Sequence, residues 1–347
     1  MIGLRGGSWK SVRIQFLVFQ FLETSPGLGG GLDCPEISFT MSSIGRPFAE
    51  LSRARLFLSP RAPFTGISAP YDKAKFVFFG VPYDKTSTYR SGSRLGPGAL
   101  RDVSANLELY SIRSEVDLEK VPVHDMGDVD IVENLEETLD RVKAVVTELT
   151  GEKKIPVMAG GEHSITKPAV ESLPKDLGLV NFDAHMDLRD EFLGEKLSHA
   201  TFMRRVSEHI GADHIMEVGI RAFSKPELDF CRRSKVEIIT PLDIRREGLA
   251  KTGRRIGSFL SGFSHSYVTV DIDVLDPAYA PGVGNPEPDG LTTDELLTLI
   301  QSSMVRNLLG FDLVEVSPPL DTGQTAAIGA KVIFEAIAAI EARSSPL

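Results

Sequence analysis

Cysteine is nearly absent, with only Cys34 and Cys231 among 347 residues. Two thiols cannot build a disulfide framework or a cysteine-based zinc site, which points to a reducing compartment, the cytoplasm. An excess of basic charge is also lacking: 38 Lys and Arg face 48 Asp and Glu, for a net charge of −10. Nucleic acids and anionic membranes both require a basic footprint, so neither is an expected partner. The acidic balance would suit a cationic small molecule. No run reaches the ~18–20 apolar residues of a membrane span. Residues 75–342 hold no repeat and no long linker, and a composition 42% hydrophobic and 25% charged is ample for a core.

The first 45 residues stand apart. "WKSVRIQFLVFQFLETSPGLGGG" offers basic residues, a short apolar run at Ile14–Leu22 and a Gly/Pro-rich stretch, somewhat as a secretory leader would. Gln20 interrupts the run, and no small-residue cleavage site follows it closely. Residues 1–45 are expected to be a poorly ordered or non-native extension ahead of one domain at 46–347.

From Lys75 onward, short β-rich runs alternate with amphipathic helical stretches. Strands are expected at 75–81, 120–124, 155–159, 178–182, 215–219, 236–240, 267–272 and 308–316. Most are continuously apolar, as "IPVMA" is, which marks strands buried on both faces of a parallel sheet. Helices are expected in "NLEETLDRVKAVVTELT", "HATFMRRVSEHI", "TTDELLTLIQSSM" and the Ala-rich "GQTAAIGAKVIFEAIAAIEA". The third carries Thr292 and Glu295, the spacing of a capping box. The expected fold is three-layer α/β/α around a parallel sheet of about eight strands.

In such sheets ligands bind beyond the carboxyl ends of the strands. "MAGGEHS", "DAHMD", "DIDVLDP" and "EVSPP" all fall at such ends. Residues at i, i+2 and i+4 of extended chain point the same way, so Asp183, His185 and Asp187 could converge, as could Asp271 and Asp273. His163 projects from a Gly-Gly turn into the same space. Taken singly, a D-x-H-x-D can be a capped turn and a D-x-D a plain loop start. Together they give four carboxylates and two imidazoles, which balance two divalent cations. An oxygen-rich set with imidazole suits Mn²⁺, and two ions sharing a water would supply hydroxide near neutral pH.

In this order, "GGEHS", "DAHMD", "SHATF", "DIDVLDPAYAPGVGNPEPDGLT" and "VEVSPP" resemble the arginase/agmatinase ureohydrolases, over nearly all of 75–342. "GVPYDKTSTYRSGSRLGPGALR" is similar to the agmatinase branch, of the archaeal type in particular. The resemblance implies a binuclear Mn²⁺ hydrolase of guanidino compounds, assembled as a trimer or hexamer. It places His163, Asp183, Asp187 and Asp271 around one ion and His185, Asp183, Asp271 and Asp273 around the other. It also implies that His199 shuttles the proton to the leaving amine, that Glu315 pairs with the substrate guanidinium, and that Asp187 hydrogen-bonds the attacking oxygen. Tyr89 and Arg90 would line the entrance; Arg94 and Arg101 would either hold that loop or touch ligand.

For the substrate tail, "LRDEFLGEKLSHA" lacks the asparagine segment by which arginases grip an amino acid end, and it carries Asp190, Glu191 and Glu195. An acidic loop favours a neutral or cationic tail: agmatine, or the longer aminopropylagmatine, with guanidinobutyrate as a further alternative. A reading of another class is a metal-dependent polyamine deacetylase, which would use one zinc and leave a His/Asp pair surplus. Two departures from the family pattern stand out. Glu162 replaces the usual aspartate before the first metal histidine, and "GVGNPEPDG" replaces "GTGTPEPGG", which bears on the wall near Asn285.

Overall fold

The computed structural model describes residues 54–66 and 68–344. The expected extension at 1–45 lies outside them. The short β1 (Leu58–Ser59) precedes β2 (Phe76–Val81), α1 (Gly96–Ser104), a small hairpin of β3 (Tyr110–Ser111) with β4 (Val116–Asp117), and β5 (Val123–Val129). Then follow α2 (Leu135–Gly151), β6 (Ile155–Gly160), α3 (Thr166–Glu171), β7 (Leu177–Phe182), α4 (Phe202–Ile210) and β8 (Ile215–Val218). Next come α5 (Lys225–Ser234), β9 (Glu237–Ile239), α6 (Pro241–Glu247), α7 (Leu249–Ser261) and β10 (His265–Asp271). The chain closes with α8 (Thr293–Ser303), β11 (Leu308–Val314) and α9 (Gln324–Ser344).

Nine strands form one sheet in the order β1-β5-β2-β6-β11-β10-β7-β8-β9, all parallel except the β1 edge. Alternation along the strands explains the three layers. Phe76 and Phe78 of β2 pack on one face with Leu100, Leu260, Leu296 and Ile333, while Val77 and Phe79 pack on the other with Val142, Ala169 and Phe202. Helices α1, α7, α8 and α9 thus cover one face, and α2, α3 and α4 the other. Each fully buried phenylalanine contributes about 2 kcal/mol from apolar area removed from water. Helix α8 starts as expected: Thr292 Oγ1 accepts from Glu295 N at 3.1 Å, and Glu295 Oε2 accepts from Thr292 N at 2.8 Å.

One strand differs from expectation. The sequence suggested 120–124, but β5 runs Val123–Val129 through "VHDMGDV". Its two aspartates hide it, because charge argues against a buried strand. Here both are paired: Arg101 donates to Asp125 at 2.8 Å and to Asp128 at 2.6 Å, all three side chains nearly inaccessible. A buried charge is tolerated where such a partner exists. Among the described residues no helix is long and apolar enough to cross a membrane.

Candidate metal centre

Strands β6, β11, β10 and β7 are adjacent at the middle of the sheet, and the four polar clusters sit at their carboxyl ends. Gly161, just past β6, makes the turn that carries His163. A Cβ on Gly161 would lie 1.8 Å from the Tyr83 carbonyl oxygen, so only glycine fits there.

The two aspartate motifs share a local device. Asp183 Oδ1 accepts from His185 N at 2.7 Å, and Asp271 Oδ1 accepts from Asp273 N at 2.8 Å. Each first aspartate therefore uses Oδ1 to close a turn while its carboxylate still faces the centre, and both oxygens of Asp183 stay within reach of it, Oδ2 at His163 and Oδ1 at His185. The convergence does not come from continued extended chain, as the spacing suggested. Ile272–Val274 form a 3₁₀ turn, and Asp187 sits at φ 51°, in the left-handed region. Backbone strain of that kind costs about 1–3 kcal/mol and collects at functional sites.

The ligand atoms meet. His163 Nδ1 lies 3.1 Å from Asp183 Oδ2, 3.3 Å from Asp271 Oδ2 and 3.8 Å from Asp187 Oδ2. His185 Nδ1 lies 3.1 Å from Asp273 Oδ2 and 3.6 Å from Asp183 Oδ1. Two groups that could each hold a metal ion result, His163–Asp183–Asp271 and Asp183–His185–Asp273, with Asp183 common to both. His163 Nδ1 is buried and makes no hydrogen bond, although it faces three carboxylates. Burial opposes charge on His163 and on His185, but the neighbouring carboxylates outweigh it and hold both imidazoles well above their usual pKa. Burial pushes Asp187 and Asp271 well up, reinforced by the charge of Asp183 on the first and of Asp273 and Asp183 on the second. The pocket thus favours positive charge between these side chains, which is the property a pair of divalent cations requires.

The lone pair of His163 is aimed by residues the sequence reading did not single out. Its Nε2 lies 2.9 Å from Thr269 Oγ1, whose proton goes to Asp312 in a short bond. Asp312 also accepts from Tyr267 at 2.8 Å and Thr166 at 3.0 Å. With the threonine proton spent on Asp312, His163 must donate from Nε2, which leaves Nδ1 free for a cation. Thr269→Val is expected to weaken divalent-metal affinity roughly 10–100-fold, with Thr269→Ser near wild type; titration against a chelating dye reads this. Equal affinity in the valine variant would show that the hydroxyl is idle. Arg221 went unnoticed too: its guanidinium donates to the carbonyls of Asp273, Leu275 and Glu287 at 2.8, 3.1 and 2.7 Å, bracing the β10 loop against the 287 loop.

A cleft of about 580 Å³ opens over the centre, lined among others by Tyr89, Asn285, Glu287, Glu315 and His199. Glu315, at φ 64°, directs Oε1 to His163 N at 3.0 Å. Burial pushes its carboxyl up to about 8, with the charge of Glu162 adding. His199 precedes α4, and burial followed by the charge of His185 pushes its imidazole down to about 4. Tyr89 stands at the mouth, 72% exposed. Arg90 lies beside it, its guanidinium 5.4 Å from the Tyr89 ring centroid, and donates to the carbonyls of Val283 at 2.7 Å and Gly284 at 3.3 Å, so it braces the loop at the entrance. Arg94 and Arg101 hold structure as well, through Asp84 and through Asp125 and Asp128. The acidic loop also turns outward. Asp190, Glu191 and Glu195 are exposed, and Asp190 pairs with Arg205 at 2.7 Å. Besides Glu315 and the aspartates of the centre, Glu227 and Glu287 line the cleft; Glu227 Oε2 accepts from Ser224 N at 2.7 Å and Oε1 from Leu188 N at 3.2 Å, and Arg189 lies 3.7 Å from it.

A model of the arginase family matches residues 74–339. The chain belongs to the arginase family. Within it, an agmatinase of Bacillus cereus is 38% identical over 279 residues, 76% of this chain and 91% of its own. An N(1)-aminopropylagmatine ureohydrolase of Thermococcus kodakarensis is 34% identical over 273 residues, covering 78% and 92%. Among solved structures, the agmatine ureohydrolase of Thermoplasma volcanium superposes with a TM-score of 0.76 at 38% identity, covering 83% of this chain and 97% of that one. The fold is therefore the arginase-like α/β architecture that the motif order implied.

Proposed function

We propose that the chain, through a catalytic domain at 46–347, is an agmatinase-type ureohydrolase that cleaves agmatine to putrescine and urea in polyamine biosynthesis. The observation that carries this reading is the pair of metal-ligand groups sharing Asp183, with His199 and Glu315 on the same cleft. His163, Asp183, Asp187 and Asp271 would hold one Mn²⁺, and His185, Asp183, Asp271 and Asp273 the other. Bound there, the two ions would supply an activated water near neutral pH and a positive field for developing negative charge.

The protein's own groups account for the rest. Glu315 orients the planar guanidinium through a charge-assisted, two-point hydrogen bond. Asp187 accepts a hydrogen bond from the attacking water. As that oxygen bonds to the guanidinium carbon and the C–N bond to the tail breaks, His199 gives its proton to the departing nitrogen. Of the two protons on the attacking water, one recharges His199 and the other passes to the departing nitrogen, so guanidinium plus water gives urea and the ammonium form of the amine, and the atoms balance.

A cationic tail is favoured because Glu287 stands on the cleft wall, while Arg189 there lies beside the buried Glu227. Agmatine carries such a tail, and aminopropylagmatine a longer one. Assembly as a trimer or hexamer and a cytoplasmic location belong to the same reading. A urea-release assay with Mn²⁺ across agmatine, aminopropylagmatine, arginine and guanidinobutyrate tests it. Either polyamine precursor is expected to lead. Arginine or guanidinobutyrate turning over faster would overturn the choice of tail, and release of acetate from an acetylated polyamine instead of urea would overturn the reaction class.

A further inference from the structure

A second histidine–threonine–carboxylate chain accompanies the one behind His163. Thr86, in the loop after β2, places Oγ1 2.6 Å from Glu162 Oε1, and its backbone N–H donates to Glu162 Oε2 at 2.7 Å. Ser164 Oγ adds a third donor at 2.6 Å. Burial, with the charge of Asp84 adding, outweighs these donors and pushes Glu162 up to about 7. On its far side, Thr86 Oγ1 lies 3.0 Å from His199 N and 3.2 Å from His199 Nδ1.

The proton count decides the directions. A hydroxyl has one proton, and that of Thr86 is directed to Glu162. Toward His199 the oxygen can only accept, so both the backbone N–H and the ring Nδ1–H of His199 must donate. We infer that Thr86, held by Glu162, fixes His199 in the Nδ1–H form and so reserves Nε2, facing the cleft, for the transferable proton. Thr86 and Glu162 are positioning residues for the proton donor; neither touches the substrate. Nε2 first takes up a proton that the attacking water releases; in the transfer that Nε2–H bond breaks, its electron pair returns to the ring, and the departing nitrogen gains the proton. Thr86 keeps its proton throughout.

The additional methylene of Glu162, relative to the aspartate more usual at this place, fits this arrangement. It lets one carboxylate reach both Thr86 and Ser164 from beside His163. The pattern mirrors the His163 chain with the ring reversed: there Nε2 is tied and Nδ1 is free, here Nδ1 is tied and Nε2 is free. Neither threonine carries a sequence signature.

The inference rests on reading His199 as the proton donor, so the test has one arm independent of turnover. Nitrogen NMR of the full-length, histidine-labelled protein loaded with Zn²⁺, which is diamagnetic, reports which ring nitrogen carries hydrogen, with His199→Gln assigning the signal. Wild type should show His199 protonated at Nδ1, and Thr86→Val should move population to Nε2–H. A neutral wild-type ring whose single hydrogen sits on Nε2 overturns the inference whatever the enzyme turns over. In the kinetic arm, Thr86→Val should lower kcat for agmatine roughly 10–100-fold, with KM and metal content unchanged, and Thr86→Ser should restore most of it. The deficit should shrink for an oxyguanidine whose leaving alkoxyamine is weakly basic and needs little acid assistance. Equal slowing of both substrates, or no rescue by serine, would mean that Thr86 merely supports the loop. Wild type releasing no urea, with the expected ring form, would instead sink the assigned reaction.

Discussion

His199→Ala is expected to lower kcat for the best guanidino substrate by about 10²–10⁴-fold, the usual contribution of a positioned general acid. The departing alkylamine is a strong base and a poor leaving group until protonated, so removing the donor falls on the bond-breaking step. His199 lies apart from both metal-ligand groups, and its Nδ1 is turned to Thr86. The variant should therefore keep its metal content and its unfolding midpoint. Loss of metal from His199→Ala would make this side chain a ligand, and an unchanged kcat would move the proton donor elsewhere.

Glu315→Gln is expected to act on kcat/KM by about 30-fold to several thousandfold, the 2–5 kcal/mol that truncating one partner of a buried charge pair costs. The wild-type carboxyl is pushed up to about 8 mainly by burial, so it lacks a cationic partner that a guanidinium would provide. Glutamine keeps the shape and can still accept the His163 N–H bond that Oε1 takes at 3.0 Å. Only the charge toward the substrate is lost. Steady-state kinetics with the favoured substrate measures the effect; a change below threefold or so would be less than the ~0.7 kcal/mol that even exposed ion pairs reach, and would remove Glu315 from recognition.

Much of this architecture was readable from residue order. A run such as "IPVMA" had to be a strand because nothing polar interrupts it, and the candidate ligands were expected to meet because each cluster follows a strand. What escaped the sequence depended on partners far along the chain. Strand β5 looked too acidic until Arg101, more than twenty residues earlier, was seen to neutralise Asp125 and Asp128. Asp312 in mid-strand was a visible anomaly, a charge inside "LLGFDLVEV", yet only contact with Thr269 gives it a task. Thr86 and Arg221 look ordinary in their segments. Loop side chains were the least readable: Arg90 and Asp190 carry suitable charges but point them at a neighbouring loop and at Arg205. Charge alone cannot fix the direction of a side chain when the backbone of a loop is free to turn it either way.

The most direct test of the shared metal centre is the ion count per chain in wild type and in Asp183→Ala, measured by elemental analysis after loading with Mn²⁺ and gel filtration. Asp183 presents Oδ2 to His163 and Oδ1 to His185, so two ions are expected in wild type and neither site should remain filled in the variant. A single ion in wild type, or two retained by Asp183→Ala, would contradict a centre built around that carboxylate.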